Sequence, residues 1–209
     1  MPLRSPSSPT PSGRKPAGPI FALRPAMAST QTFLTDVLEL RKRARKHMER
    51  GAVTLDYAGD IEQAVALLNT ALATEIVCTL RYQYHAVMAS GIHSESVKRE
   101  FTEHAADEQK HANSLAERIN QLGGKPNFNP EGLLTRSHSE YVEGETLNDM
   151  IRENLVAERI AIESYREMVR FFAGHDPTTR RMLEEILEKE EEHANDMHDL
   201  LGNHALTVG

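Results

Sequence analysis

Roughly two dozen residues, from Gly123 to Glu145, separate two pairs of long stretches that carry helical periodicity. Apolar residues recur at steps of three and four from about Asp60 to Gly91, from Ser94 to Leu122, from near Thr146 to the GHDP at 174–177, and from Asp176 to about Leu201. Asp60 and Asp176 read as N-caps, and Pro177 suits a first helical turn. Within each pair the connection is short, which makes the partners antiparallel neighbours. The middle gap differs. Extended at ~3.3 Å per residue it reaches ~75 Å, whereas a helix of about 28 residues is ~42 Å long. The gap can therefore run the length of a bundle. These limits describe an all-α four-helix bundle with a long crossover between helices 2 and 3. No stretch reads as a strand.

The 209 residues hold one domain of ordinary size plus an extension. No run approaches the ~18 apolar residues of a membrane-spanning helix, so no membrane partner is expected. The single cysteine, Cys78, excludes an internal disulfide and any four-cysteine metal knuckle, and fits a reducing, cytoplasmic setting. Charge is split along the chain. Residues 1–50 carry ten Lys/Arg and three acids, a net of +7; the rest carries fourteen and twenty-eight, a net of −14, giving the total of −7. Residues 1–35 read as a disordered Pro/Ser-rich basic extension, with Met27 as an alternative start. Residues 36–59 read as a short basic helix, ending near Gly51, and a linker. Residues 60–202 form the main domain.

Each apolar stripe of that domain is broken near its middle. Glu75 falls between Leu72 and Thr79, and Glu158 between Leu155 and Ile162. Glu108 and His111 interrupt the run from Phe101 to Leu115, and Glu190 and His193 the run from Ile186 to Met197. The E-x-x-H spacing alone says little: ten His and twenty-three Glu in 209 residues yield about one by chance, against two present. The arrangement says more. Glu75 precedes Glu108 by 33 residues and Glu158 precedes Glu190 by 32, while Tyr82 and Tyr165 each follow their helix's glutamate by seven. The two halves repeat one design.

A solvated helix face would account for Glu75 or Glu158 singly, but not for all six groups at mid-stripe. Buried unpaired carboxylates cost several kcal/mol each, and no Lys or Arg sits mid-stripe to neutralise them. Two divalent cations would balance four carboxylates, with one imidazole nitrogen for each, and carboxylate with imidazole suits iron or manganese. Glu103 and Asp107, spaced i, i+4, make an acidic approach. His85 and His104 read as satisfied interior or interface histidines, Cys78 as a small buried apolar residue, and Met88, Met168 and Met197 as core filler.

"ATEIVCTLRYQYHA", "EHAADEQKHANSLAERINQLGGKPN", "LVAERIAIESYREMV" and "MLEEILEKEEEHANDM" resemble the four helices of the bacterioferritin branch of the ferritin-like di-iron superfamily, over residues 60 to 202. The resemblance implies a ferritin-like bundle in which Glu75, Glu108, His111, Glu158, Glu190 and His193 form a ferroxidase centre for two Fe ions per subunit. Glu108 and Glu190 would bridge the irons, and Tyr82 would act beside them as a hydrogen-bond or redox partner. It further implies Fe(II) oxidation by O2 or H2O2 for iron storage or detoxification, and a homo-oligomeric shell of 12 or 24 subunits. Gln109 stands where the family's haem-ligating methionine belongs, which argues against haem at that position. Tyr165 is similar to the more symmetric sites of rubrerythrins, so a manganese catalase or rubrerythrin-like peroxide reductase is an alternative. A Dps-like DNA-protecting protein, touching DNA through the basic front segment, is another.

Overall fold

A computed structural model describes residues 36–92 and 94–207; the expected extension at 1–35, with its alternative start, lies outside them. The elements are α1 (Val37–Arg43), a single 3-10 turn (Met48–Arg50), α2 (Ile61–Met88), α3 (Ser94–Gln121), the one-turn α4 (Leu133–Arg136), α5 (Leu147–Phe172) and α6 (Pro177–Thr207). No strand occurs among the described residues. Helices α2 and α3 pack as one antiparallel hairpin, α5 and α6 as a second, and the hairpins close through α2 on α5 and α3 on α6. The expected four-helix bundle with one crossover is the observed fold.

Local chemistry sets the helix ends. The Asp60 carboxylate accepts from the Gln63 amide at 3.0 Å, satisfying a first-turn donor of α2. Thr146 and Asp149 form a reciprocal capping box at the start of α5. Asp176, 2% exposed, caps α6 by accepting from the Thr179 amide at 2.9 Å. The same carboxylate takes two hydrogen bonds of 2.9 Å from Arg118 of α3 and one of 3.1 Å from the Tyr57 hydroxyl. One cap thereby ties three segments at this end of the bundle.

Every position of the four predicted stripes is buried or half-buried. Two apolar clusters fill the bundle, one around Leu68, Leu72, Leu115, Phe172 and Leu183 and one around Tyr82, Phe101, Ile151 and Met197. The carboxylates lie in the layer between them.

Four expectations differ from the structure. The basic helix ends at Arg43, and His47 turns the chain at φ 53° before the 3-10 turn. The helix buries nothing, and continuing it would have set Arg41 against Arg45 and Lys42 against Lys46, like charges at i, i+4 that weaken a helix. Helix α6 runs past Leu201 to Thr207, because one interior glycine, Gly202, costs only about 1 kcal/mol. Met88, expected as core, is 49% exposed at the C-terminal end of α2. Helix α2 itself is long and apolar enough to cross a membrane, but 56% of its most apolar window is buried inside the bundle; its apolarity comes from being the most enclosed helix.

The crossover explains that enclosure. It lies along α2 and α5 and adds a second buried face, whose polar groups it satisfies. Arg81, 1% exposed, donates to Asn154 of α5 at 2.9 Å, and to Ser139 Oγ and the Glu140 carbonyl, both at 2.8 Å. His85 meets the Val142 carbonyl at 3.1 Å and Asn154 at 3.0 Å.

Candidate metal centre

Six side chains from four helices converge at mid-bundle. Glu75 projects from α2, Glu108 and His111 from α3, Glu158 from α5, and Glu190 and His193 from α6. An i, i+3 pair shares a helix face, so each E-x-x-H delivers its carboxylate and imidazole together. Glu158 is fully buried and Glu75, Glu108, Glu190 and His193 are each 1% exposed. The His111 side chain, at 11%, is the most open.

The geometry splits into two overlapping groups. His111 Nδ1 lies 3.3 Å from Glu75 Oε2, 3.3 Å from Glu108 Oε2 and 3.0 Å from Glu190 Oε1. His193 Nδ1 lies 3.5 Å from Glu108 Oε1 and 3.9 Å from Glu190 Oε2. Glu75, Glu108, His111 and Glu190 thus form one set of four potential ligands; Glu108, Glu158, Glu190 and His193 form the other, each with ligand atoms within 4.8 Å of one another. Glu108 and Glu190 belong to both sets and turn one oxygen toward each. Seven of these buried atoms, including Glu75 Oε2, Glu158 Oε2 and both ring nitrogens of His193, have no hydrogen-bond partner. Carboxylate oxygens and ring nitrogens crowded together without satisfying hydrogen bonds fit cations.

The ferritin-like domain family matches residues 65–207. The chain belongs to the ferritin-like family. It is 28% identical over 148 residues to a DNA protection during starvation protein of Pyrococcus furiosus, covering 68% of this chain and 78% of that one. It is 26% identical over 148 residues to the bacterioferritin of Desulfovibrio desulfuricans, covering 70% and 78%. Among solved structures, a dodecameric thioferritin, the bacterioferritin-related protein of Bacteroides fragilis, superposes with a TM-score of 0.69 at 32% identity over 71% of this chain and 90% of that one.

In this ferritin-like bundle the two tyrosines hold the carboxylates reciprocally. Tyr82 of α2 donates to Glu158 Oε1 of α5, and Tyr165 of α5 donates to Glu75 Oε1 of α2. The seven-residue spacing thus serves the opposite helix, and each bond crosses between hairpins. Asp107 does not stand as a free acidic approach. It pairs with Lys110 at 2.7 Å and faces His193 Nε2 at 3.5 Å, a position from which a carboxylate orients a ligand imidazole. Gln109 is exposed and bonded to Asn113.

Crowding governs protonation. Burial, then the Glu108 charge, pushes Glu75 up to about 8. Burial and the Glu108 charge also raise Glu158, and burial with the other three carboxylates raises Glu190 well above the usual carboxylate range. Burial acts the same way on Glu108, but the imidazoles of His111 and His193 more than offset it and hold that group well below the range. Burial disfavours a charged His111, yet the surrounding Glu108, Glu190 and Glu75 raise it overall. With no other cation present, protons supply the compensating positive charge.

The structure brings together all six residues read from the sequence, with Tyr82 beside them. His104 is buried and satisfied on one side: Nδ1 lies 3.1 Å from the Tyr82 oxygen, and the ring stacks on His193 with centroids 3.8 Å apart. Sequence reasoning missed Tyr165 as the partner of Glu75 and Asp107 as the partner of His193. The +7 repeat was the available signal for the first. The second depends on the packing of α3 against α6 and leaves none.

Proposed function

We propose that this ferritin-like chain binds two iron ions per subunit between Glu75, Glu108, His111, Glu158, Glu190 and His193 and oxidises Fe(II) with O2 or H2O2, for iron storage or detoxification in a reducing compartment such as the cytoplasm. One observation carries this reading: two ligand sets share Glu108 and Glu190, with one oxygen of each turned to either side. Two Fe(II) ions give up one electron each, the pair that H2O2 takes with two protons to become two water molecules. The carboxylates fix the separation of the two ions and balance their charge. Tyr82 and Tyr165 keep Glu158 and Glu75 oriented through hydrogen bonds, and Asp107 faces His193 Nε2 from 3.5 Å.

Stopped-flow oxidation of Fe(II) tests the assignment. Glu108→Ala removes a ligand from both sets and His111→Ala from one. Each is expected to keep the helical circular dichroism while slowing oxidation by more than about 100-fold. Unchanged kinetics in both variants would refute the site. Iron, rather than manganese, in protein purified without added metal separates the ferroxidase from a manganese catalase.

A second reading has its own support. Arg41, Lys42, Arg43, Arg45 and Lys46 cluster in and just after α1, none of them buried, and a DNA protection protein is among the relatives. Nonspecific contact with phosphates through this segment would coexist with iron oxidation. It predicts a gel shift of the full chain that weakens steeply with salt and is lost in a chain starting at Asp60.

A further inference from the structure

Outside the six-residue cluster, on the α3–α6 flank, three acceptors meet without a donor. His104 sets the logic. Tyr82 has one hydroxyl proton and gives it to Glu158, so its oxygen must accept from His104, and Nδ1 of that ring carries the hydrogen. The ring is buried and stacks on His193 with centroids 3.8 Å apart. Its other nitrogen, Nε2, then presents a lone pair. Nε2 points at Asp196 Oδ2, 3.4 Å away, and at Glu100 Oε1, 3.7 Å away. No hydrogen bond joins the three groups, and the His104 side chain is only 4% exposed. A cation placed among them would be reached by all three groups.

We propose that Glu100, His104 and Asp196 hold a further divalent first-row cation, separate from the central pair, with Nε2 as its imidazole ligand. Ligands about 2.1 Å from a tetrahedral ion stand about 3.4 Å apart, close to the spacings seen. One nitrogen and two carboxylate oxygens suit Fe(II), Mn(II), Co(II) or Zn(II) and leave positions for water. The side chains of Glu100 and Asp196 are 26% and 41% exposed, so the site opens to solvent. A metal-bound histidine ordinarily gives its other N–H to an orienting acceptor, and Tyr82 fills that role. The same hydroxyl holds Glu158, so a cation here communicates with the central cluster through two hydrogen bonds. The three ligands share no residue with the central six, although His104 also lies within ligand distance of Glu158 and His193.

Crystals of the full chain soaked in Zn(II), with anomalous differences measured at the zinc edge, provide the test. The expected result is a peak within about 2.0–2.2 Å of His104 Nε2, apart from any density between Glu108 and Glu190. The double variant Glu100→Gln/Asp196→Asn should lose that peak and keep the central ones. Both positions are part-exposed and the substitutions preserve shape, so circular dichroism should be unchanged; the single Glu100→Gln variant provides the same comparison with a smaller perturbation. In Zn(II) titration calorimetry of the same proteins, the corresponding binding step should weaken by about tenfold or more in the double variant. Central peaks with nothing at His104, or a His104 peak that survives the double variant, would overturn the proposal, as would a soak without any peaks. A peak at His104 alone would uphold it and count against the central pair.

Discussion

At the scale of single residues, the centre holds protons that bound cations would displace. Glu75 has a carboxyl raised to about 8 from an ordinary 4.5. Because the folded state keeps this proton while the unfolded chain releases it, the metal-free protein should lose stability as pH rises from about 4.5 to 8, by an amount on the order of a few kcal/mol. Glu75→Gln removes the titration, so thermal melts of the metal-free variant and parent should diverge across that window, the parent falling faster. Added Zn(II) displaces the proton and should restore the parent, with affinity rising over the same range. The six residues behind this behaviour were legible in the sequence because a charged group in the middle of an apolar stripe violates the pattern that burial imposes. Asp107 was not legible, since nothing in the spacing of α3 says that α6 will bring His193 to it.

At the scale of elements, helix starts were readable because N-caps are local chemistry: Asp60, Thr146 and Asp176 stand where their side chains meet first-turn amides. The route of the crossover was not, because it is fixed by groups distant in sequence. Arg81 finds its partners 58, 59 and 73 residues away. Asn154 bonds both Arg81 and His85, so Asn154→Ala should leave a buried donor, Arg81 Nε, and a buried acceptor, His85 Nδ1, unmatched and cost about 1–3 kcal/mol. Hydrogen exchange should then accelerate selectively around residues 137–143, while the amides of α3 and α6 stay protected. Equal acceleration throughout the bundle would show that the crossover is not held by this network. The broken basic helix teaches a related lesson. Its periodicity was genuine, but without a surface to cover it could not outweigh its own charge repulsion.

At the scale of the whole molecule, the outer face formed by α2, the crossover and α5 exposes Leu80, Leu134, Tyr141 and Val156. We propose that this face meets other copies of the chain in a closed shell, and light scattering of the purified protein should give the mass of 12 or 24 subunits rather than one. A double substitution Leu80→Glu/Leu134→Glu should lower that mass without changing the helical signal. The crossed tyrosine bonds carry a last consequence. Since α2 borrows its carboxylate's restraint from α5, and α5 borrows its own from α2, neither hairpin can prepare its share of the ligands alone. Prising the halves apart would free both glutamates in the same instant, so any ion bound between them would rivet the seam, and its release would signal that the seam had opened.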